Sequence, residues 1–221
     1  MRRHVGTWES TGDRRAIFLG CYLRMTENML GALADGEFHD AEWVSGLLHH
    51  FADYYFDALD AYERKDPDTP PVWQQTHDAA CNPETMVLQN LLLGINAHIN
   101  YDLVLALVDT LSPEWAVLDA TGRSRRYEDH DHVNDVIART VDCVQDEVVE
   151  RYAPEMDLID KLLGPLDEWL ASALIRRWRD EVWDHAVRML EAPTDEARRA
   201  RRQTLEQAAL ERAARFLSVR T

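Results

Sequence analysis

Apolar residues recur along this chain at three- and four-residue steps, the spacing that gathers them on one face of an α-helix. Between Arg14 and Ala34 the stripe is Phe18, Tyr22, Met25, Met29 and Leu33, and Asp35-Gly36 closes it. Asp40 offers an N-cap to a second helix that reaches about Arg64 along Trp43, Leu47, Phe51, Tyr54, Ala58 and Tyr62. Three prolines and two aspartates between Lys65 and Pro71 predict a loop. A short helix is expected from Trp73 to Ala80, and Asn82-Pro83-Glu84 opens a long central helix with proline in its first turn. Ser112-Pro113-Glu114 starts a brief helix holding Trp115 and Leu118, which Thr121-Gly122 ends. The next stripe, Val133, Ile137, Val141, Val144 and Val148, predicts a helix from about Glu128 to Tyr152. Further helices follow near Met156 to Leu163, Pro165 to Leu190 and Thr194 to Leu217, with a kink or joint at Gly164-Pro165. No alternating pattern is long enough to argue a strand, and no internal repeat occurs. The expected fold is all-α: a single-domain irregular bundle of about seven or eight helices over 1–221, with its core at about 12–190 and an arginine-rich C-terminal helix at about 194–218.

The central helix is apolar on nearly all sides, from Leu91 to Leu93 and again from Leu103 to Val108. Between these runs, Gly94 to Asp102 place Asn96, His98, Asn100 and Asp102 where burial is deepest. A buried polar group without a partner costs about 1–3 kcal/mol, so this stretch demands partners. His98 and Asp102 stand one helical turn apart and project from the same face. Such a pair can act as a proton-transferring group with its orienter, or as two ligands of one ion. Gly94 costs the helix about 1 kcal/mol against alanine, which suits a place where a backbone or a ligand must approach closely.

Other helices carry polar groups beside their stripes. His50 precedes Tyr54 by one turn next to Asp53 and Asp57, His130 and Asn134 align with Ile137 and Val141, and His185 is in register with Trp178, Val182 and Met189. Four helices thus offer a histidine toward what the pattern suggests is a common interior. The candidate catalytic residues are His98, Asp102, Asp53 and Asn134. The candidate metal ligands, for zinc or another divalent ion, are His98, Asp102, His50 and Asp131. Tyr54, Asn100, Tyr101, Trp73 and Trp183 are the candidates for lining a substrate pocket, since ligand sites favour aromatic walls with a few placed polar groups. No Glu-x-x-His spacing occurs, which weighs against a di-iron centre. Each feature has a structural alternative: His98 and Asp102 fix helix register by bonding each other, the aromatics are plain core, and Asp129-His130-Asp131-His132 serves a helix start.

A formal net charge of -16, from 40 acidic against 24 basic residues, disfavours nucleic acid and anionic membrane surfaces. The arginines from Arg198 to Arg202 are diluted by Asp195, Glu196, Glu206 and Glu211 on the same helix. Asn90, Asn96, His98, Asn100 and Asp102 interrupt the longest apolar run, so no membrane span is expected, and no apolar stretch follows the basic start as a signal peptide would require. Cys21, Cys81 and Cys143 are odd in number and widely spaced, which fits reduced thiols and a cytoplasmic location.

Taken together, Arg14-Arg15-Ala-Ile-Phe18, Tyr22-Leu-Arg24-Met25-Thr26, Trp43-Val44, Phe51-Ala-Asp53-Tyr54-Tyr55, Pro71-Val-Trp73, Gly94-Ile-Asn-Ala-His98-Ile-Asn100-Tyr-Asp102-Leu103 and Val133-Asn134 resemble the bacterial family of unknown function DUF5995, over about residues 12 to 190. That resemblance implies no activity. Separately, Leu93-Gly94-x-x-x-His98-x-x-x-Asp102 is similar to the central-helix motif of the all-helical zinc-dependent phospholipase C and single-strand nuclease superfamily. The similarity implies zinc at His98 and Asp102 and activation of water for phosphoester hydrolysis. This chain departs from that superfamily in lacking a processed N-terminal tryptophan and the proline and histidine that follow the aspartate. The function expected is an enzyme with a buried His/Asp site acting on a small or lipid-like molecule. The alternatives are a helical protein that binds a small molecule without chemistry, and a bundle whose polar stripe only fixes packing or serves a partner.

Overall fold

A computed structural model describes residues 1–144 and 167–218. Within them the chain forms eight helices and no strand: α1 (Arg2–Thr11), α2 (Arg15–Ala34), α3 (Ala41–Glu63), α4 (Pro71–Cys81), α5 (Val87–Leu111), α6 (Ala120–Val144), α7 (Asp167–Leu190) and α8 (Asp195–Ser218). The expected helix from Met156 to Leu163, the joint at Gly164-Pro165, the stretch to Tyr152 and the Cys143 side chain lie outside the described residues.

Local chemistry sets most boundaries. Gly12 and Gly36, at φ 71° and 74°, take the left-handed conformation that ends α1 and turns the chain after α2. The Asp40 carboxylate accepts the Trp43 N–H at 3.0 Å and caps α3, Pro71 opens α4, and Thr194 Oγ1 accepts the Ala197 N–H at the head of α8. Two boundaries depart from the pattern. The central helix starts at Val87 rather than at Pro83, because Asn82 to Met86 form a turn in which the Asn82 side chain accepts the Glu84 N–H. No helix covers Ser112 to Val117, and α6 begins at Ala120 and runs straight through Thr121-Gly122. Asp119 Oδ1 accepts the Gly122 N–H at 2.7 Å, so the glycine sits in a capped first turn instead of terminating a helix.

Helix α5 is the axis of the bundle. Helices α2, α4 and α8 pack on its N-terminal half, and α3 and α7 on its C-terminal half, while α6 bridges α2 and α7. Leu93, Val104, Ala106, Leu107 and Leu111 are fully buried there; each buried leucine or valine contributes about 1.5–3 kcal/mol. This burial explains why α5 is long and apolar enough to cross a membrane by length and composition: 78% of its most apolar window lies inside the bundle. The C-terminal helix is part of the same core, since Leu205 and Ala209 join its main cluster. Asn96 Nδ2 donates to the Ala209 carbonyl at 2.9 Å and Gln89 Nε2 to that of Phe216, tying α8 to α5.

Candidate functional site

Midway along α5 the backbone widens. Residues His98–Asp102 form one π-helical turn, in which the Leu103 N–H reaches back five residues to the His98 carbonyl. Such insertions occur mostly as single turns and often at functional sites. His98 Nδ1 lies 3.2 Å from Asp102 Oδ2, and the Trp73 indole N–H from α4 donates to the same oxygen at 2.9 Å. The imidazole stacks on Phe51 of α3, with ring centres 3.6 Å apart and planes 7° from parallel, and the Tyr22 ring of α2 meets it edge-on at 4.2 Å. Three helices therefore fix the orientation of one imidazole.

His98 and Asp102 are both almost completely buried. Burial pushes the imidazole well below its usual range and the carboxyl well above its own, with the Trp73 hydrogen bond partly opposing the second shift. Both groups thus favour their neutral forms. If both are neutral and the carboxyl donates to Nδ1, the imidazole's own hydrogen is on the other ring nitrogen, Nε2. Nε2 is buried and has no hydrogen-bond partner, and the same holds for the Tyr22 hydroxyl.

His98 and Tyr22 line a cavity of about 240 Å³ between α2, α3, α5, α6 and α7. Its walls are mostly aliphatic and thioether groups, among them Met25, Met29, Leu47, Ile95, Leu103 and Ile137. His130 and Arg179 also line it, locked together across α6 and α7. His130 Nε2 donates to the Arg179 carbonyl at 3.1 Å, while Arg179 Nη2 donates to the His130 carbonyl at 2.6 Å and approaches Nδ1 at 3.3 Å.

A family model described as a family of unknown function, DUF5995, matches residues 1–219. The chain belongs to this family. No curated protein and no solved structure matches it.

The DUF5995 stretch from Gly94 to Asp102 divides its work between two faces. His98 looks onto the cavity, whereas Asn100 Nδ2 donates to Asn96 Oδ1 and Asn96 turns to α8. Tyr101 also faces α8, its hydroxyl 3.4 Å from Glu206. Asn100 therefore braces Asn96 within α5 and Tyr101 reaches α8, both away from the cavity lining. Gly94 does serve a close approach, but of a side chain: a Cβ there would lie 2.3 Å from Phe18 Cγ.

The remaining candidates are dispersed. Asp53 is on the exposed side of α3. His50 and Tyr54 both bind Asp109 at the surface, at 3.0 and 2.7 Å. Asp131 pairs with Arg176 and accepts from Asn134 Nδ2 at 2.9 Å, which leaves the buried Asn134 Oδ1 without a partner. Trp183 packs against Trp115, Tyr127 and His130 outside the cavity lining. His185 is exposed, so the interior receives His98 and His130 but neither His50 nor His185. The run Asp129 to His132 splays apart in mid-helix rather than opening one: Asp129 accepts the His39 and Asp40 N–H groups, His130 points inward, and His132 pairs with Glu37. Cys21 lines the cavity while Cys81 is exposed.

Among the described residues no three His, Cys, Asp or Glu side chains group around a point that could hold an ion. The Asp102 oxygen that faces His98 also receives the Trp73 N–H, so a donor hydrogen stands where a cation would approach. These residues do not fit the zinc arrangement, and the likeness to the phospholipase C superfamily goes no further than spacing.

Sequence reasoning missed Tyr22, Phe51 and Arg179 as parts of the site. Tyr22 and Phe51 were visible only as stripe positions. For Arg179 a signal existed: Arg179, Val182, Trp183 and Ala186 fall at helical spacing on the buried face of α7.

Proposed function

We propose that this cavity receives a small, largely apolar, lipid-like molecule and that His98 is the acid group acting on its polar end. The supporting observation is the asymmetry of the imidazole of a residue that lines the cavity: Nδ1 is committed to Asp102, and Nε2 is buried with no partner. A neutral His98–Asp102 pair can pass a proton outward. The ligand oxygen takes the Nε2 hydrogen as the carboxyl proton moves to Nδ1, so the imidazole is neutral before and after. The Tyr22 hydroxyl is a second unpartnered donor on the same wall, suited to the charge that gathers on a carbonyl-type oxygen. A second reading is a carrier without chemistry, favoured by the predominantly apolar lining.

The test uses 2-octanone, an apolar ketone whose oxygen only accepts hydrogen bonds. Infrared spectroscopy should show its carbonyl stretch shifted to lower frequency when bound to the wild-type protein, and the shift should disappear in His98→Phe. Exchange of its α-hydrogens in heavy water, lost in the same variant, would favour the enzyme over the carrier. A bound ketone with an unshifted carbonyl would sink the role given to His98.

A further inference from the structure

Among the described residues Arg179 is the least explained charge. Its residue is 5% exposed, it lines the cavity, and its Nε is buried with no hydrogen-bond partner. Among the described residues no carboxylate forms an ion pair with it: Asp131 and Asp180 act on it only at a distance, and Arg176 opposes them. The acid that shares the cavity lining, Asp129, already accepts the His39 N–H at 2.7 Å and the Asp40 N–H at 3.0 Å. Burial pushes the guanidinium down only to about 10, so it still carries its charge at neutral pH. Buried charges ordinarily are paired. This one is held in place by the His130 carbonyl and ring nitrogen, neither of which is an anion.

We infer that the missing anion belongs to the ligand: the cavity takes an aliphatic carboxylate, a medium-chain fatty acid or a derivative of one, with Arg179 as its counter-ion. The inference rests on the reading that the cavity is a ligand site, and it adds the chemical class. Size limits the chain. At the roughly 30 Å³ that one water occupies in the liquid, 240 Å³ corresponds to about eight waters, and since bonded carbons pack more closely than separate waters, an eight-carbon carboxylate is of the right size. The thioethers of Met25 and Met29 and the branched side chains of Leu47, Ile95 and Ile137 suit an alkyl tail. A guanidinium recognises a carboxylate through directed N–H donors, and hydrogen bonds between charged groups are about twice as strong as neutral ones.

The experiment compares octanoate with octanamide, which keeps the size and polarity of the head group but carries no charge. Calorimetric titration of the full chain should give octanoate at least ten-fold tighter binding than octanamide. In Arg179→Gln the two should agree within about two-fold, and Arg179→Lys should retain most of the preference. The wild-type comparison and the lysine variant keep the test decisive if the glutamine variant does not fold. Equal binding of octanoate and octanamide to the wild type would overturn the inference, as would a charge preference that survives in folded Arg179→Gln. In either case, binding of 2-octanone would show that the cavity reading itself survives. Failure of octanoate, octanamide and 2-octanone alike would overturn both.

Discussion

Replacing Gly94 by alanine should destabilise the protein, although the same change in an ordinary helix stabilises it. In the middle of a helix alanine is favoured over glycine by about 1 kcal/mol. At Gly94 the new methyl group would lie 2.3 and 2.4 Å from Phe18 Cγ and Cδ2 and 2.8 Å from Phe18 Cβ. The Cβ contact matters most, since turning the ring cannot relieve it and α2 must move away from α5. Overpacking of this kind costs about 1–3 kcal/mol and occasionally more. With contacts this short the upper part of that range applies, and after the helix-propensity gain the net loss is about 2 kcal/mol. For a chain of this length that lowers Tm by about 4–8 °C. Thermal unfolding followed by circular dichroism reads it directly. The control is Gly31→Ala or Gly46→Ala, also within helices but with nothing inside 4 Å of the added carbon; each should gain about 0.4–1 kcal/mol. The double change Gly94→Ala with Phe18→Ala should cost less than the sum of its parts. A Gly94→Ala protein as stable as the wild type would refute the packing described between α2 and α5.

Trp73→Phe removes the indole donor to Asp102 and should cost about 1–3 kcal/mol in urea unfolding. Asn96→Ala should release α8, costing a similar amount and raising protease cleavage between Asp195 and Ser218, because Asn96 links α5 to the Ala209 carbonyl. Stability should fall as the pH drops below 6.5. His77 is pushed down to about 3 by burial, and His98 and His130 are pushed well below their usual range by the same cause. Groups with lowered values contribute in full above the unfolded value of 6.5, and that contribution is lost as pH falls toward the folded one. Asp102, shifted upward, works against them by one proton. His77, neutral down to about 3, should by itself contribute a slope that approaches about 1.4 kcal/mol per pH unit as the unfolded chain's imidazole becomes fully charged near pH 5. Urea midpoints between pH 6.5 and 5 measure the slope, and His77→Phe should lower it by about that amount.

The helical framework was legible because periodicity and capping report on local structure. Asp40, Gly36 and Pro71 act through bonds and backbone geometry within a few residues, so their roles follow from neighbours in the chain. The polar stretch on α5 was legible for a related reason, since Asn96, His98 and Asp102 break an apolar run that burial requires. What the pattern does not carry is which helix faces each polar group. Asn100 and His98 are two residues apart, yet one bonds within the α5–α8 contact and the other lines the cavity. The apparent convergence of four histidines fails because His50 and His185 lie at the edges of their stripes, where a small rotation of the helix decides between core and solvent. Asp119 shows the same limit at a helix start: Thr121-Gly122 signals an end until the carboxylate that caps Gly122 is recognised.

The account turns on the proposal that the unpartnered Nε2 of His98 offers a hydrogen to a ligand in the cavity. Long-range proton–nitrogen correlation spectra of uniformly nitrogen-15-labelled protein, titrated with 2-octanone at pH 7, test this most directly. The predicted result is a His98 ring with Nε2 carrying the hydrogen, whose Nε2 shift moves saturably with the ketone while the exposed histidines stay fixed. A His98 that is doubly protonated, or one whose Nε2 is indifferent to ketone that binds, would contradict it.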